Sequence, residues 1–200
     1  MNRKIRQLIF PNIAQYLATA VLLCASGLAE SPAAADANLK EFNDRVKKYV
    51  ELHKRVKGDL PAMKPTTDPA KITVHEAAMD AALRAARSGA QQGDIFIPAL
   101  QPYFVQLVRS ELKGAAGAKA REMIKDGNPK VEGDPAKISV KVNGMYPGDA
   151  PLSTVPPGLL RKLPPLPPEL EYRFVGRHLI LRDVAANIIV DYIVNAAPQG

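Results

Sequence analysis

The chain has 200 residues, of which 46% are hydrophobic, 6% aromatic and 24% charged, which suits one modest globular domain or two small ones. Its 18 prolines and 13 glycines follow no period and it has one cysteine and no tryptophan, so a collagen, a disulfide scaffold and a wholly disordered chain are excluded. The net charge is +7, from 27 Lys and Arg against 20 Asp and Glu.

Much of that charge sits at the N-terminus. Arg3, Lys4 and Arg6 precede an uncharged apolar run, Leu17 to Ala25 (LATAVLLCA), and Gly27-Leu28-Ala29 puts small residues where a signal peptidase inspects the chain. Residues 1–29 therefore read as a secretory signal peptide cleaved after Ala29, with Ala35 or Ala37 as rival sites, and the expected location is periplasmic or secreted. The run is shorter than the roughly 20 apolar residues that cross a bilayer, so no transmembrane span is expected in the mature chain. Leu23 is bulkier than the residue that normally precedes a lipidated cysteine, which argues against lipoprotein anchoring at Cys24. Cleavage leaves no thiol, hence no disulfide, thiolate metal site or cysteine nucleophile, and 24 basic against 20 acidic residues. Only Lys40 to Lys57, with seven basic and three acidic residues, gathers cations, and no nucleic-acid partner is expected.

Residues 30–38 read as a flexible start. From Leu39 the residues Leu39, Phe42, Val46, Tyr49, His53 and Val56 recur three or four apart, the stripe of a helix that ends near Gly58. Either the stripe docks on the protein's own core or it serves a partner helix or membrane surface. Asp59 to Ile72, with Pro61, Pro65 and Pro69, reads as a linker. Thr73 with Glu76 has the spacing of a capping box opening an Ala-rich second helix, stopped by Gly89 to Gly93. A third helix starts at Pro98 or Pro102, buries Tyr103, Phe104, Leu107, Val108 and Leu112, and ends at Gly114. A fourth runs from Ala115 or Ala118 to about Lys125.

The period then switches. Ile138, Val140 and Val142 alternate with polar residues as in a strand. Residues 147–168 read as a proline-rich strap around one short helix, Gly158 to Leu163, with a polyproline ligand as the rival reading. With Gly176-Arg177 as a two-residue turn, Phe174 faces Leu179 and Tyr172 faces Leu181. On the other face Val175 meets His178, Arg173 meets Ile180 and Glu171 meets Arg182. Ile188 to Val194 follows as a third strand whose single charge is Asp191. The expectation is one α+β domain over 39–196, with a helical part at 39–126 and a β-rich part at 138–194.

Catalytic signals are sparse. His53, His75 and His178 stand on different elements, and no metal or cofactor site is expected. Ser110-Glu111-Leu112-Lys113 matches the S-x-x-K spacing that sets a lysine one turn after a nucleophilic serine, but its companion motifs are absent. Two groups of residues suit recognition. Arg173, Arg177, His178 and Arg182 share the polar side of the hairpin, where they would present cations to a carboxylate or phosphate. Arg87 and Asp94 flank the polar turn before Ile95 and Phe96.

Ala85-Ala86-Arg87 with Gln92-Gly93-Asp94-Ile95-Phe96, Asn143 to Pro157 (NGMYPGDAPLSTVPP) and Leu163 to Ile193, including EYRFVGRHLILRDVAANIIVDYI, resemble an uncharacterised family of exported bacterial proteins. The resemblance implies export and one continuous unit, and it carries no activity. The closing strands are also loosely similar to the C-terminal strands of periplasmic nickel/cobalt-homeostasis proteins, over about thirty residues without a metal-ligand motif, an analogy of architecture alone. The expected function is a non-enzymatic envelope interaction or accessory protein, with an envelope protein or anionic ligand as partner; the alternative is a periplasmic hydrolase with a serine nucleophile.

Overall fold

The computed structural model describes residues 32–126, 140–146 and 155–198, all of which belong to one compact unit, Ser31–Gly200. The signal-peptide segment, the strand residues Ile138 and Ser139, and 147–154 of the strap lie outside the described residues. The fold is α+β. Helices α1 (Pro32–Asp59), α2 (Pro69–Ala86), α3 (Gln101–Glu111) and α4 (Ala118–Asp126) come first, then a single turn, α5 (Pro157–Leu160). Strands β1 (Leu170–Val175), β2 (His178–Asp183) and β3 (Ile188–Ile193) follow as an antiparallel meander in the order β1-β2-β3.

Two helix starts differ from expectation. The chain is already helical at Pro32, so 32–38 is not a flexible start: Ala33, Ala34, Ala35 and Ala37 are strong helix formers, and proline is tolerated in a first turn. α2 begins at Pro69 because Asp68, not Thr73, is its N-cap. The Asp68 carboxylate accepts the Ala70 N–H at 3.0 Å, while the Thr73 hydroxyl donates to the Pro69 carbonyl, also at 3.0 Å. The Thr73–Glu76 capping box is thus absent.

The α1 stripe docks inward. Phe42, Val46, Tyr49, Val50, His53 and Val56 are buried, and Phe42 stacks with Phe96, Phe104 and Tyr172 at centroid distances of 5.0 to 6.4 Å. Each such aromatic pair adds about 0.5–1.5 kcal/mol beyond the area it buries. α3 contributes Phe104, Val108 and Leu112 to this core.

The hairpin register agrees residue for residue with the sequence reading, from Glu171 opposite Arg182 to Val175 opposite His178. Gly176 takes φ +58° at the first central position of the turn, a conformation that costs glycine nothing. β3 continues the meander past an irregularity between Leu181 and Arg182.

One face of the sheet carries Leu170, Tyr172, Phe174, Leu179, Leu181, Val190 and Ile193 into the aromatic core. The other face is also covered. Val175, Ile180 and Ile189 pack against Val140 and Tyr146. Residues 140–146 are held there by main-chain bonds, Asn143 N–H to Ile189 O, Ile189 N–H to Gly144 O and Tyr146 N–H to Asn187 O, each 2.8 Å. Of the strand expected from Ile138, the described part is thus a turn, with Asn143 at φ +60°, followed by a single bridge between Met145 and Ile188.

Candidate functional site

Four charged or ionisable side chains among the described residues meet in the interior where α1, α2 and the sheet converge: His53, Arg87, Asp183 and Asp191. Asp183 ends β2 and is fully buried. One of its oxygens accepts the Tyr49 hydroxyl at 2.7 Å and His53 Nδ1–H at 2.6 Å, both from α1. The other accepts the N–H groups of Ala185 and Ala186, which shapes the turn into β3. Burial raises the carboxyl pKa, but the bonds from His53, Ala186 N–H and Tyr49 outweigh it and hold the group below the ordinary carboxylate range. Burial, with the Asp183 charge beside it, pushes the Tyr49 phenol the other way, well above its ordinary value.

Asp191 accepts four backbone N–H groups, from Gly93, Ile95, Phe96 and Tyr192, at 2.8 to 2.9 Å. Three of them belong to the turn after α2, so the lone charge of β3 is what folds that turn around itself. Gly93 takes φ +91° there. Burial nevertheless keeps the Asp191 carboxyl above its ordinary pKa, against those four donors. Arg87 enters the interior beside it. Its guanidinium donates to the Asn143 side-chain oxygen at 2.5 Å and the Val190 carbonyl at 2.9 Å, and lies 5.1 Å from the centre of the Tyr49 ring. Asn143 returns a bond to the Arg87 carbonyl at 2.8 Å. Desolvation lowers the Arg87 pKa, while Tyr49, Asp191 and Asp94 act to raise it.

The residues singled out from the sequence do not form the expected surfaces. Asp94 is exposed, spends its carboxylate on the Gln91 N–H and accepts Arg45 on its carbonyl, so it shares no recognition surface with buried Arg87. The cationic side of the hairpin is likewise not a free patch, because 140–146 covers it. The Arg173 and Arg182 side chains are only 19% and 11% exposed, and both pair with Glu171. Arg182 also bonds Asn187 and lies 5.3 Å from the Tyr146 ring centre. His178 is buried and accepts the Asn195 N–H on Nδ1. Arg177 exchanges bonds with Ala197, its side chain donating to the Ala197 carbonyl. These four side chains staple the sheet to its cover and to the C-terminal segment. The sequence missed the network of Tyr49, His53 and Asp183; its available signal was an aspartate closing an apolar strand, as Asp191 was the lone charge of the next.

A different place on the surface is open. A cleft of about 890 Å³ runs along α3 towards α4 and Pro198. Pro102, Val105 and Leu112 give it apolar walls, and Arg109, Lys113 and Arg121 give it cations. Ser110 and Lys113, the S-x-x-K pair, both lie here, exposed. The Ser110 hydroxyl donates to the Leu107 carbonyl of its own helix at 2.8 Å.

His53 bound to Asp183 has the orientation of a base held by its carboxylate. Its neighbours, however, are Val56, Met79, Leu83 and the sheet rather than a nucleophile in a cleft, and the imidazole is 2% exposed. Among the described residues no group of three or more His, Cys, Asp or Glu is placed to hold a metal ion, and no helix is long and apolar enough to cross a membrane. No protein-family model, curated protein or solved structure matches the chain.

Proposed function

We propose that this is an exported, non-enzymatic interaction or accessory protein of the bacterial envelope, which works by binding. The observation that carries the reading is the spending of its buried polar groups. Asp183 and Asp191 each satisfy four internal donors, and Arg87 ties a helix to a sheet and its cover, so the strongest chemistry in the interior is committed to holding the fold. The one nucleophile that the sequence offered, Ser110, has its hydroxyl bonded to its own helix in an open cleft rather than aimed at a base. Export rests on Arg3, Lys4 and Arg6 ahead of the apolar run and on the small-x-small site at Gly27-Leu28-Ala29.

Intact-mass spectrometry after incubation with a fluorophosphonate and with a labelled β-lactam tests the non-enzymatic half. An unmodified mass supports it, and a stoichiometric adduct on Ser110 would replace it with the serine hydrolase. N-terminal sequencing of the envelope fraction tests the other half: a start near Glu30 supports export, whereas an intact Met1 recovered from cytoplasm rejects it.

A further inference from the structure

We infer that the cleft along α3 is a binding site for a small anionic amphiphile, a carboxylate or phosphate head on a single acyl chain. The inference deepens the binding reading above and rests on it. The cleft, about 890 Å³, lies within the roughly 300–1,000 Å³ of small-molecule sites and is far larger than a bare anion needs. Its walls divide the chemistry. Pro102, Val105 and Leu112 offer apolar surface, and Pro198 extends it from the C-terminal side. Arg109, Lys113 and Arg121 stand over the same space, with no acidic side chain among its described lining residues.

The neighbouring acid is disposed of elsewhere. Glu111 turns to Lys162, 2.7 Å away, at the far side of α3. Among the described residues, Arg109 and Lys113 therefore keep their charge without an ion pair. Arg121 is held in place by donating to the Leu112 and Gly114 carbonyls at the end of α3, so one guanidinium is oriented before any ligand arrives. A neutral lipid would leave these three cations without a partner, and a free anion would leave the apolar wall wet. Only a ligand with both parts answers both surfaces. A protein patch needs about 800 Å² on each side, and the concavity here is that of a single chain. Ser110 then contributes wall and not chemistry, since its hydroxyl is already bonded within α3.

The test is calorimetric titration of the exported protein with hexadecanoate and with hexadecyl phosphate, below their aggregation concentrations, with hexadecanol and acetate as half-ligands. One-to-one binding of at least one long-chain anion is expected, with both half-ligands weaker by about tenfold or more, as charge-assisted and apolar contacts are each lost. Arg109→Glu/Lys113→Glu, both at exposed positions, is expected to weaken the anion by at least about tenfold with an unchanged melting curve. Failure of both anions to bind, equal binding of hexadecanol, or binding indifferent to the double reversal would each overturn the proposal. None of those results touches the non-enzymatic reading, which falls only if Ser110 becomes acylated by a hexadecanoyl ester.

Discussion

Replacing Asp183 by Asn tests how far the buried polar centre holds this protein together. The substitution is nearly isosteric and keeps one oxygen for the Ala185 and Ala186 N–H groups. At the other position an acceptor becomes an NH₂ group, facing the Tyr49 hydroxyl and His53 Nδ1, which both donated to it. Two charge-assisted bonds are lost, each worth about 1.5–3 kcal/mol. Rotation of the hydroxyl and a change of imidazole tautomer recover part of that, so the expected cost is about 3 kcal/mol, a large share of the 5–15 kcal/mol typical of a domain. Tyr49→Phe, which removes one donor and leaves the carboxylate three, should cost about 1–2 kcal/mol. The double variant should fall short of the sum by about 1 kcal/mol or more, since both changes remove the same bond. Urea unfolding followed by far-UV circular dichroism measures all three, as the chain has no tryptophan.

The same variant has a pH signature. The Asp183 pKa is lower folded than unfolded, so the unfolded chain binds more protons in the window between the two values. Its contribution is complete above the ordinary value of 3.8 and is lost as pH falls through the folded pKa. The gap between wild type and Asp183→Asn should therefore stay constant from neutral pH down to about 5 and narrow below about 4. A loss under about 0.5 kcal/mol at pH 7, the scatter of an ordinary surface change, would refute the claim that this carboxylate joins α1 to the sheet.

Other expectations follow from steric room and from the second buried ion. A Cβ on Gly117 would lie 2.3 Å from the Leu112 carbonyl carbon, so Gly117→Ala should cost about 2–3 kcal/mol by forcing backbone apart. Gly58→Ala, in the last turn of α1 with nothing within 4 Å, should gain about 0.5 kcal/mol, and the same urea titrations distinguish the two. Arg87→Met keeps the bulk of the side chain while removing its bonds to Asn143 and Val190. A loss of about 2–4 kcal/mol is expected, with faster amide exchange at Asn143 and Tyr146 than at Leu179. Uniform acceleration across the sheet would show that Arg87 does not hold the 140–146 cover in particular.

The hairpin was legible because period-two alternation, a Gly-containing turn and the Glu171–Arg182 opposition admit one register together. The α1 stripe was legible for the same kind of reason: a helix lines up its contacts within a few residues. The cover of the second sheet face was not. Val140 and Tyr146 lie far along the chain from Ile180, and nothing in a six-residue strand says whether polar residues beside its apolar ones meet water or a neighbour. Arg173 and Arg182 therefore looked like a surface patch and are instead paired over Glu171 beneath a loop. The start of α2 was misread because two capping signals compete there; Asp68 prevails because Pro69 is already set for a first turn and gains one more turn of helix. The α3 cleft required the packing of α4 and Pro198 beside α3, which local pattern does not encode.

The bond between Tyr49 and Asp183 spans 134 positions of the chain, and that between His53 and Asp183 spans 130. A chain that emerges N-terminus first presents α1 with its polar contacts unmet until the last strands arrive, and the closure entropy of so long a loop must be met before the bonds return anything. Assembly is thereby gated by the C-terminal meander: a nascent chain stopped short of residue 183 has helices but no lock. Such a chain stays open while it is still being threaded through a narrow channel, and it closes only when threading is nearly complete.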